Sequence, residues 1–92
     1  MFHNFEELEV MLNIYNNKIY TIRKAIKYAY LRRDFIKVAE LKIEYQLIRK
    51  KIVSYIDFYK IKLSNNYIEY QIYGKQLEEI EQYYQKYFED YN

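Results

Sequence analysis

YLRRDFIKV, residues 30–38, interrupts a regular spacing of apolar residues along the chain. Apolar residues recur at alternating steps of three and four up to Ala29, and the alternation restarts at Val38. The nine-residue step between them fits neither a heptad nor a usual stutter within one helix. Asp34 is a good N-cap for a following helix, and the two arginines before it suit the last turn of a preceding one. The stretch therefore predicts a tight helical hairpin at residues 31–35.

Three stripes of apolar residues follow this spacing, which aligns one face of a helix with a partner. The first contains Phe5, Leu8, Leu12, Tyr15, Ile19, Ile22, Ile26 and Ala29. The second contains Val38, Leu41, Tyr45, Ile48, Ile52, Tyr55 and Tyr59. The third contains Tyr70, Tyr73, Leu77, Ile80, Tyr84, Tyr87 and Tyr91. Since the chain also has no proline and one glycine, the pattern predicts an all-α protein with coiled-coil-like seams.

The boundary between the second and third stripes falls on the Ser-Asn-Asn run at 64–66. These residues are weak helix formers and strong caps, and Glu69 is placed to complete a capping box on Asn66. The alternative is a stutter within one long helix, which would overhang the first helix and require a dimer.

With a turn at residues 64–66, the chain forms one domain, 1–92, with helices at about 4–32, 35–63 and 66–90. The predicted fold is an antiparallel helical hairpin extended to a three-helix bundle. Because 92 residues bury a modest core, dimerisation that completes the fold is a further expectation.

Residues 26–47 resemble the helical-hairpin motif at the C-terminus of the excision-repair nuclease subunits. The resemblance is carried by Arg33-Asp34-Phe35 and by Val38-Ala39-Glu40-Leu41, and it covers about a quarter of the chain. It implies a helical hairpin at this point, in agreement with the spacing, and it is too short to place the chain in that family.

The composition excludes several classes of protein. The chain has no cysteine, and His3 is its one histidine, so neither a disulfide scaffold nor an ordinary zinc or di-iron site is expected. No apolar run approaches the length of a membrane span, and the N-terminus is acidic where a signal peptide is basic and then apolar. We expect a cytoplasmic protein. Residues encoded by AT-rich codons dominate, which indicates a low-GC source such as a Firmicute or one of its phages, and a viral protein would reside in the host cytoplasm.

No catalytic constellation is visible in the sequence. The simple hydroxyls are Thr21, Ser54 and Ser64, and none has a histidine base nearby in sequence. The acidic group at residues 78–81 lacks a second ligand cluster, and consecutive acids on a helix point in different directions. We therefore predict no catalytic residue, no metal, no cofactor and no small-molecule substrate, and hence a protein that is not an enzyme.

Charge is distributed unevenly along the chain. The formal charges of residues 1–17, 18–62 and 63–92 are −3, +9 and −4. Pairing of the basic helix two with the acidic helix three would explain part of this charge pattern. Counting outward from the second turn then places Arg49 beside Glu81, and we predict an ion pair between them. The first hairpin keeps a cluster of bases that this pairing does not use: Arg23, Lys24, Lys27, Arg32, Arg33 and Lys37. Such a cluster could bind an acidic protein or a nucleic acid. The alternative is that it is an ordinary solvated hairpin tip.

Apolar residues also lie off the three stripes, where a two-helix seam cannot bury them. They are Ile14, Tyr20, Tyr28, Ile36, Ile43, Ile68 and Ile72. Tyr20, Lys24, Lys27 and Tyr28 share the outward face of helix one, so aromatic and basic groups interleave there. With the hairpin bases they define the predicted partner-binding set: Tyr20, Arg23, Lys24, Lys27, Tyr28, Arg32, Arg33, Ile36, Lys37 and Ile43.

The function predicted from these features is that of a small, non-enzymatic, self-associating module that binds or occludes a larger protein. One example is a phage or mobile-element inhibitor of a host nuclease or defence complex. Two alternatives stay open: a nucleic-acid-binding protein that uses the basic hairpin tip, and a structural or assembly scaffold.

Overall fold

The computed structural model describes residues 5–91, with side chains to residue 89. It contains three helices: α1 is Phe5–Leu31, α2 is Phe35–Ser64 and α3 is Tyr67–Tyr91. Each helix begins and ends within one residue of its predicted boundary. Residues 5–91 include no strand. The all-α prediction is confirmed, and the helix-helix contacts are consistent with a three-helix bundle.

The contacts group the chain into two compact units. Glu9–Ile52 forms the first, here called the hairpin unit, and it contains most of α1, the first turn and the beginning of α2. The described residues 5–8 and 53–91 form the second, here called the α3 unit. The assignment of all 92 residues to a single domain stays a prediction.

The end of α1 has the hydrogen bonds of a Schellman cap. The N–H of Arg33 donates to the carbonyl of Tyr30 at 3.0 Å, and the N–H of Asp34 donates to the carbonyl of Ala29 at 2.9 Å. Arg33 has a φ of 59°. This is the left-handed region, in which a residue with a Cβ is strained by about 1–2 kcal/mol. The strain is offset because two carbonyl groups at the end of the helix obtain donors.

α2 begins directly after this cap. The side-chain oxygen of Asp34 accepts a hydrogen bond from the N–H of Lys37 at 3.1 Å, so Asp34 is the N-cap that the sequence predicts. The prediction that Arg32 and Arg33 occupy the last turn of α1 is wrong. The helix ends at Leu31, and both arginines lie in the turn, since the left-handed conformation of Arg33 cannot continue the helix.

The second turn is also real, which excludes the single long helix. The side-chain oxygen of Asn66 accepts from the N–H of Glu69 at 3.1 Å, and its side-chain amide donates to the Glu69 carboxylate at 3.1 Å. These two bonds are the predicted capping box in a side-chain variant. At the end of α2, Ser64 and Asn65 both donate from their side chains to the carbonyl of Ile61.

The core of the hairpin unit follows the predicted stripes closely. Its buried residues are Leu12, Tyr15, Ile19, Ile22, Ala29, Val38, Leu41, Tyr45, Ile48 and Ile52. Ile26, the remaining predicted member within this unit, is half-buried. The two stripes face each other across the hairpin, so the opposite sides of α1 and α2 point away from one another.

The core of the α3 unit departs from the predicted stripes. Its buried residues are Phe5, Leu8, Ile56, Tyr59, Leu63, Leu77, Tyr84 and Phe88. Ile56 is buried where the spacing selects Tyr55, and Phe88 is buried where it selects Tyr87. Tyr70, predicted in the seam, is exposed. In the first two cases an apolar neighbour takes the position, because straight α-helices drift from a strict heptad repeat.

A ring contact and an ion pair also connect the helices of the α3 unit. The ring of Phe5 stacks on that of Tyr73, with centroids 4.8 Å apart. The Glu81 carboxylate forms an ion pair with Lys60 of α2, with Nζ and Oε2 2.6 Å apart. Arg49 is the partner that the sequence predicts for Glu81, and the Arg49–Glu81 pair stays a prediction. Along α2, Lys60 lies about three helical turns closer than Arg49 to the chain reversal at residues 64–66.

Replacing Arg33 by glycine tests the strained turn. Arg33→Gly removes the left-handed strain, and the greater freedom of glycine in the unfolded chain opposes this gain by about 0.5–1 kcal/mol. We expect the free energy of unfolding in urea to rise by about 0.5–1 kcal/mol. Arg32→Gly removes the same charge without a positive φ to relieve, and it is expected to destabilise the protein. Equal effects of the two substitutions would contradict the Schellman geometry.

Alkaline unfolding tests the surroundings of Tyr59. Burial raises the pKa of Tyr59, and the nearby Glu7, Tyr55 and Glu69 raise it further, while the hydrogen bond to Glu81 raises the pKa of Lys60. Both groups therefore keep their protons to a higher pH in the folded protein than in the unfolded chain. Stability is expected to fall as the pH rises past about 10, where the unfolded chain begins to lose these protons.

The Tyr59→Phe variant removes the contribution of Tyr59 to this pH dependence and keeps that of Lys60. Its urea midpoint is expected to decline less steeply than that of the parent between about pH 9 and 11. Tyr67→Phe, at an exposed position, controls for the loss of one tyrosine. A Tyr59→Phe slope identical to the parent slope would show that Tyr59 ionises equally in both states.

Candidate protein-interaction surface

All ten predicted partner-binding residues lie in the hairpin unit, and none belongs to its core. Nine are exposed, and Arg23 is half-buried. The seven off-stripe apolar residues of the sequence analysis, in both units, are likewise all exposed. The ten do not form one patch, because α1 and α2 turn their unburied sides in opposite directions. The nine exposed residues divide into an α1 outer face, a hairpin tip and an α2 outer face, and Arg23 belongs to none of the three.

The α1 outer face consists of Tyr20, Lys24, Lys27, Tyr28 and Leu31. Tyr20, Lys24 and Tyr28 are four residues apart in turn, so they align along the side of α1 that faces away from its buried stripe. The Lys24 Nζ lies 5.4 Å from the centroid of the Tyr20 ring, within cation–π range. The face presents flat aromatic surface with ammonium groups beside it.

The hairpin tip consists of Tyr30, Arg32, Arg33, Phe35 and Lys37. Tyr30 and Phe35 pack edge to face with centroids 6.1 Å apart. Lys42 donates to the Tyr30 hydroxyl at 3.2 Å. Sequence reasoning identified the bases here and missed the aromatic residues. Their signal was available, since Tyr30 and Phe35 border the turn and belong to none of the three stripes.

The α2 outer face contains Ile36 and Ile43 from the predicted set, together with Leu47, which was not predicted. All three are exposed. Leu47 also borders a groove of about 480 Å³ between α1 and α2, lined by Asn17, Lys18, Thr21, Ile22, Glu44, Leu47, Ile48 and Lys51. The apolar surface of α2 therefore extends from its outer face to the edge of this groove.

The charge of the hairpin unit is strongly positive. It contains eleven Lys or Arg residues and four acidic ones. One acid, Asp34, is engaged at the N-cap of α2, and another, Glu40, lies 4.0 Å from Lys37. The α1 outer face and the tip carry five bases, and the acid within the tip is Asp34, so the positive potential of this surface favours an acidic partner surface.

Acidic and hydroxyl side chains are the groups from which a metal or nucleophilic site would be built, since the chain has no cysteine. Within residues 5–91 no cluster of three or more His, Cys, Asp or Glu could hold a metal ion. The hydroxyls of Thr21 and Ser64 donate to carbonyls of their own helices, those of Asn17 and Ile61. His3 lies outside the described residues.

Comparison with known proteins adds no assignment. No protein-family profile, curated protein or solved structure matches this chain. The described helices include no segment with the length and apolar character needed to cross a membrane.

Proposed function

We propose that this protein is a non-enzymatic binding module that covers or bridges a larger, acidic protein partner through its α1 outer face and hairpin tip. The observation that carries this proposal is the exposure of Tyr20, Tyr28 and Leu31 on the α1 outer face, in a unit that contains eleven Lys or Arg residues and four acidic ones. Large apolar patches on a protein surface are typical of interaction sites.

The composition of the α1 outer face supports a protein partner over a merely solvated surface. Tyrosine, of which this face has two, is enriched among the residues that dominate binding energies, because it combines a large contact area with a polar end. Tyr20 and Tyr28 are about half exposed or more, so their rings are available for burial. A partner with a shallow apolar recess bordered by carboxylates complements this face.

A phage or mobile-element inhibitor that occludes a host nuclease or defence complex is one protein of this kind. Its task requires surface complementarity and no catalytic group, and a short helical chain suffices. The size and composition of this protein support the example, and the fold alone does not assign it.

Partner binding tests the proposal. The tagged protein is purified from its native host, the captured protein is identified, and its affinity for each purified variant is measured by calorimetry. The double variant Tyr20→Ala/Tyr28→Ala is expected to bind at least about tenfold more weakly, because two aromatic contacts are lost. Tyr67→Ala/Tyr83→Ala, at similarly exposed positions in the α3 unit, is expected to retain the parent affinity. Full retention by the first variant would refute the α1 outer face as the interface.

Nucleic-acid binding by the hairpin tip is the second candidate, favoured by the exposure of Arg32, Arg33 and Lys37 together. Binding through phosphates weakens steeply with salt. If it occurs, a mobility-shift titration detects a complex at about 50 mM salt that is lost near 200 mM, and Arg32→Gln/Lys37→Gln reduces the salt dependence. Absence of a complex with duplex and single strands at low salt eliminates this candidate.

A further inference from the structure

α2 carries a second stripe on the side opposite its buried one. Ile36, Glu40, Ile43, Leu47 and Lys50 are separated by steps of four, three, four and three. This is the same spacing as in a coiled-coil seam. The side chains of Ile36, Ile43 and Leu47 are 77%, 64% and 55% exposed. The hairpin unit covers the first stripe of α2 with α1, and it leaves this second stripe open.

We infer that a second copy of the chain covers this stripe, with the two α2 helices packed antiparallel about a two-fold axis. The inference rests on the proposed function and deepens it: it adds the self-association that the sequence predicts and names the surface responsible. In this arrangement Ile43 of each copy packs against Leu47 of the other. Glu40 of each copy lies opposite Lys50 of the other.

The second stripe of α2 is self-complementary. A two-fold interface requires that if one residue contacts a second, the second contacts the first across the axis. Residues 43 and 47 lie two positions on either side of residue 45, and residues 40 and 50 lie five positions on either side. One axis at the level of residue 45 therefore satisfies both pairs at once, with the apolar contacts in the centre and the charges outside them.

The charges of Glu40 and Lys50 favour an antiparallel pair of α2 helices over a parallel one. In a parallel pair Glu40 would face Glu40 and Lys50 would face Lys50, and like charges at seam positions are unfavourable. In the antiparallel pair both contacts join a carboxylate to an ammonium, each about 7.5 Å along the helix from the axis. The two ion pairs border the apolar centre in the way that polar rims surround the core of an interface.

This arrangement leaves the α1 outer face free. The α1 outer face points away from α2 within each hairpin unit, so an α2–α2 contact does not cover it. The dimer would display two copies of that face in opposite directions. It could then bridge two partner molecules, or two sites on one assembly, with a gain in avidity.

Sedimentation equilibrium over a wide concentration range tests the inference. The parent protein is expected to form a concentration-dependent dimer. Ile43→Gln, which keeps a good helix former at an exposed position, is expected to weaken dimerisation at least about thirtyfold, because the interface loses two isoleucines. Ile72→Gln is the matched control: Ile72 is 62% exposed on α3, and the dimer constant is expected to stay within about twofold. A parent protein that remains monomeric at high concentration, or a dimer insensitive to Ile43→Gln, would overturn the inference.

Charge reversal tests the register. Glu40→Lys and Lys50→Glu are each expected to weaken the dimer about tenfold, since each converts two attractive contacts into repulsive ones. The combined substitution Glu40→Lys/Lys50→Glu restores opposite charges and is expected to return the dimer constant to near the parent value. Failure of the combined variant to recover would refute this register. Circular dichroism of each variant verifies that the helices are intact.

Site-directed cross-linking tests the direction, and the absence of cysteine from the chain makes single-cysteine variants straightforward. Residue 46 lies near the proposed axis, so Gln46→Cys is expected to cross-link efficiently with a short bifunctional maleimide. Residue 39 would lie about 18 Å along the helix from its own copy, so Ala39→Cys is expected to remain uncross-linked. In a parallel dimer both variants cross-link, and that result would overturn the antiparallel arrangement.

The outcomes for the dimer and for the partner site are separable. A monomer that still binds its partner through Tyr20 and Tyr28 refutes the dimer and leaves the proposed function intact. The opposite result is that Ile43→Gln weakens the dimer while Tyr20→Ala/Tyr28→Ala leaves the partner affinity unchanged. It would refute the α1 outer face as the partner site and support the dimer.

Discussion

The reversal of the chain at residues 31–35 is the constraint on which the hairpin unit depends. It is held by the Schellman hydrogen bonds of Arg33 and Asp34 and by the Asp34 N-cap. Three residues suffice for the reversal because Arg33 adopts a left-handed conformation. The short connection makes α1 and α2 antiparallel neighbours, aligns their buried stripes and turns their other sides outward. The exposed apolar and basic surfaces are consequences of that geometry.

Much of this fold could be predicted from spacing and caps. The break between Ala29 and Val38 predicts the first turn, and the Asn66 capping box predicts the second. What spacing could not predict was the choice between adjacent apolar residues, such as Tyr55 and Ile56. Both can occupy a seam position at the period of a real helix, and packing decides between them. The left-handed backbone conformation of Arg33 could not be predicted either, because arginine has no preference for it and the surrounding structure imposes it.

The candidate surface was predicted in part. Exposure of the off-stripe residues followed from the number of positions that one seam can bury, and the structure confirms it for residues such as Ile36 and Ile43. Their division between opposite sides of the hairpin required the three-dimensional arrangement. The second stripe of α2 was overlooked because Glu40 and Lys50 interrupt its apolar pattern. Those same two charges give it the complementarity that makes a second copy a suitable occupant.

α2 is apolar on two sides, and the fold of a single chain covers one of them. Isoleucine-methyl NMR with a soluble paramagnetic agent measures this directly. At micromolar concentration we expect strong broadening of the Ile36 and Ile43 methyl signals and none for Ile19 and Ile52. At high concentration we expect Ile43 to become protected while Ile72 stays accessible. Protection of Ile36 and Ile43 at the lowest concentration would mean that the chain buries them itself, and it would contradict an open second side of α2.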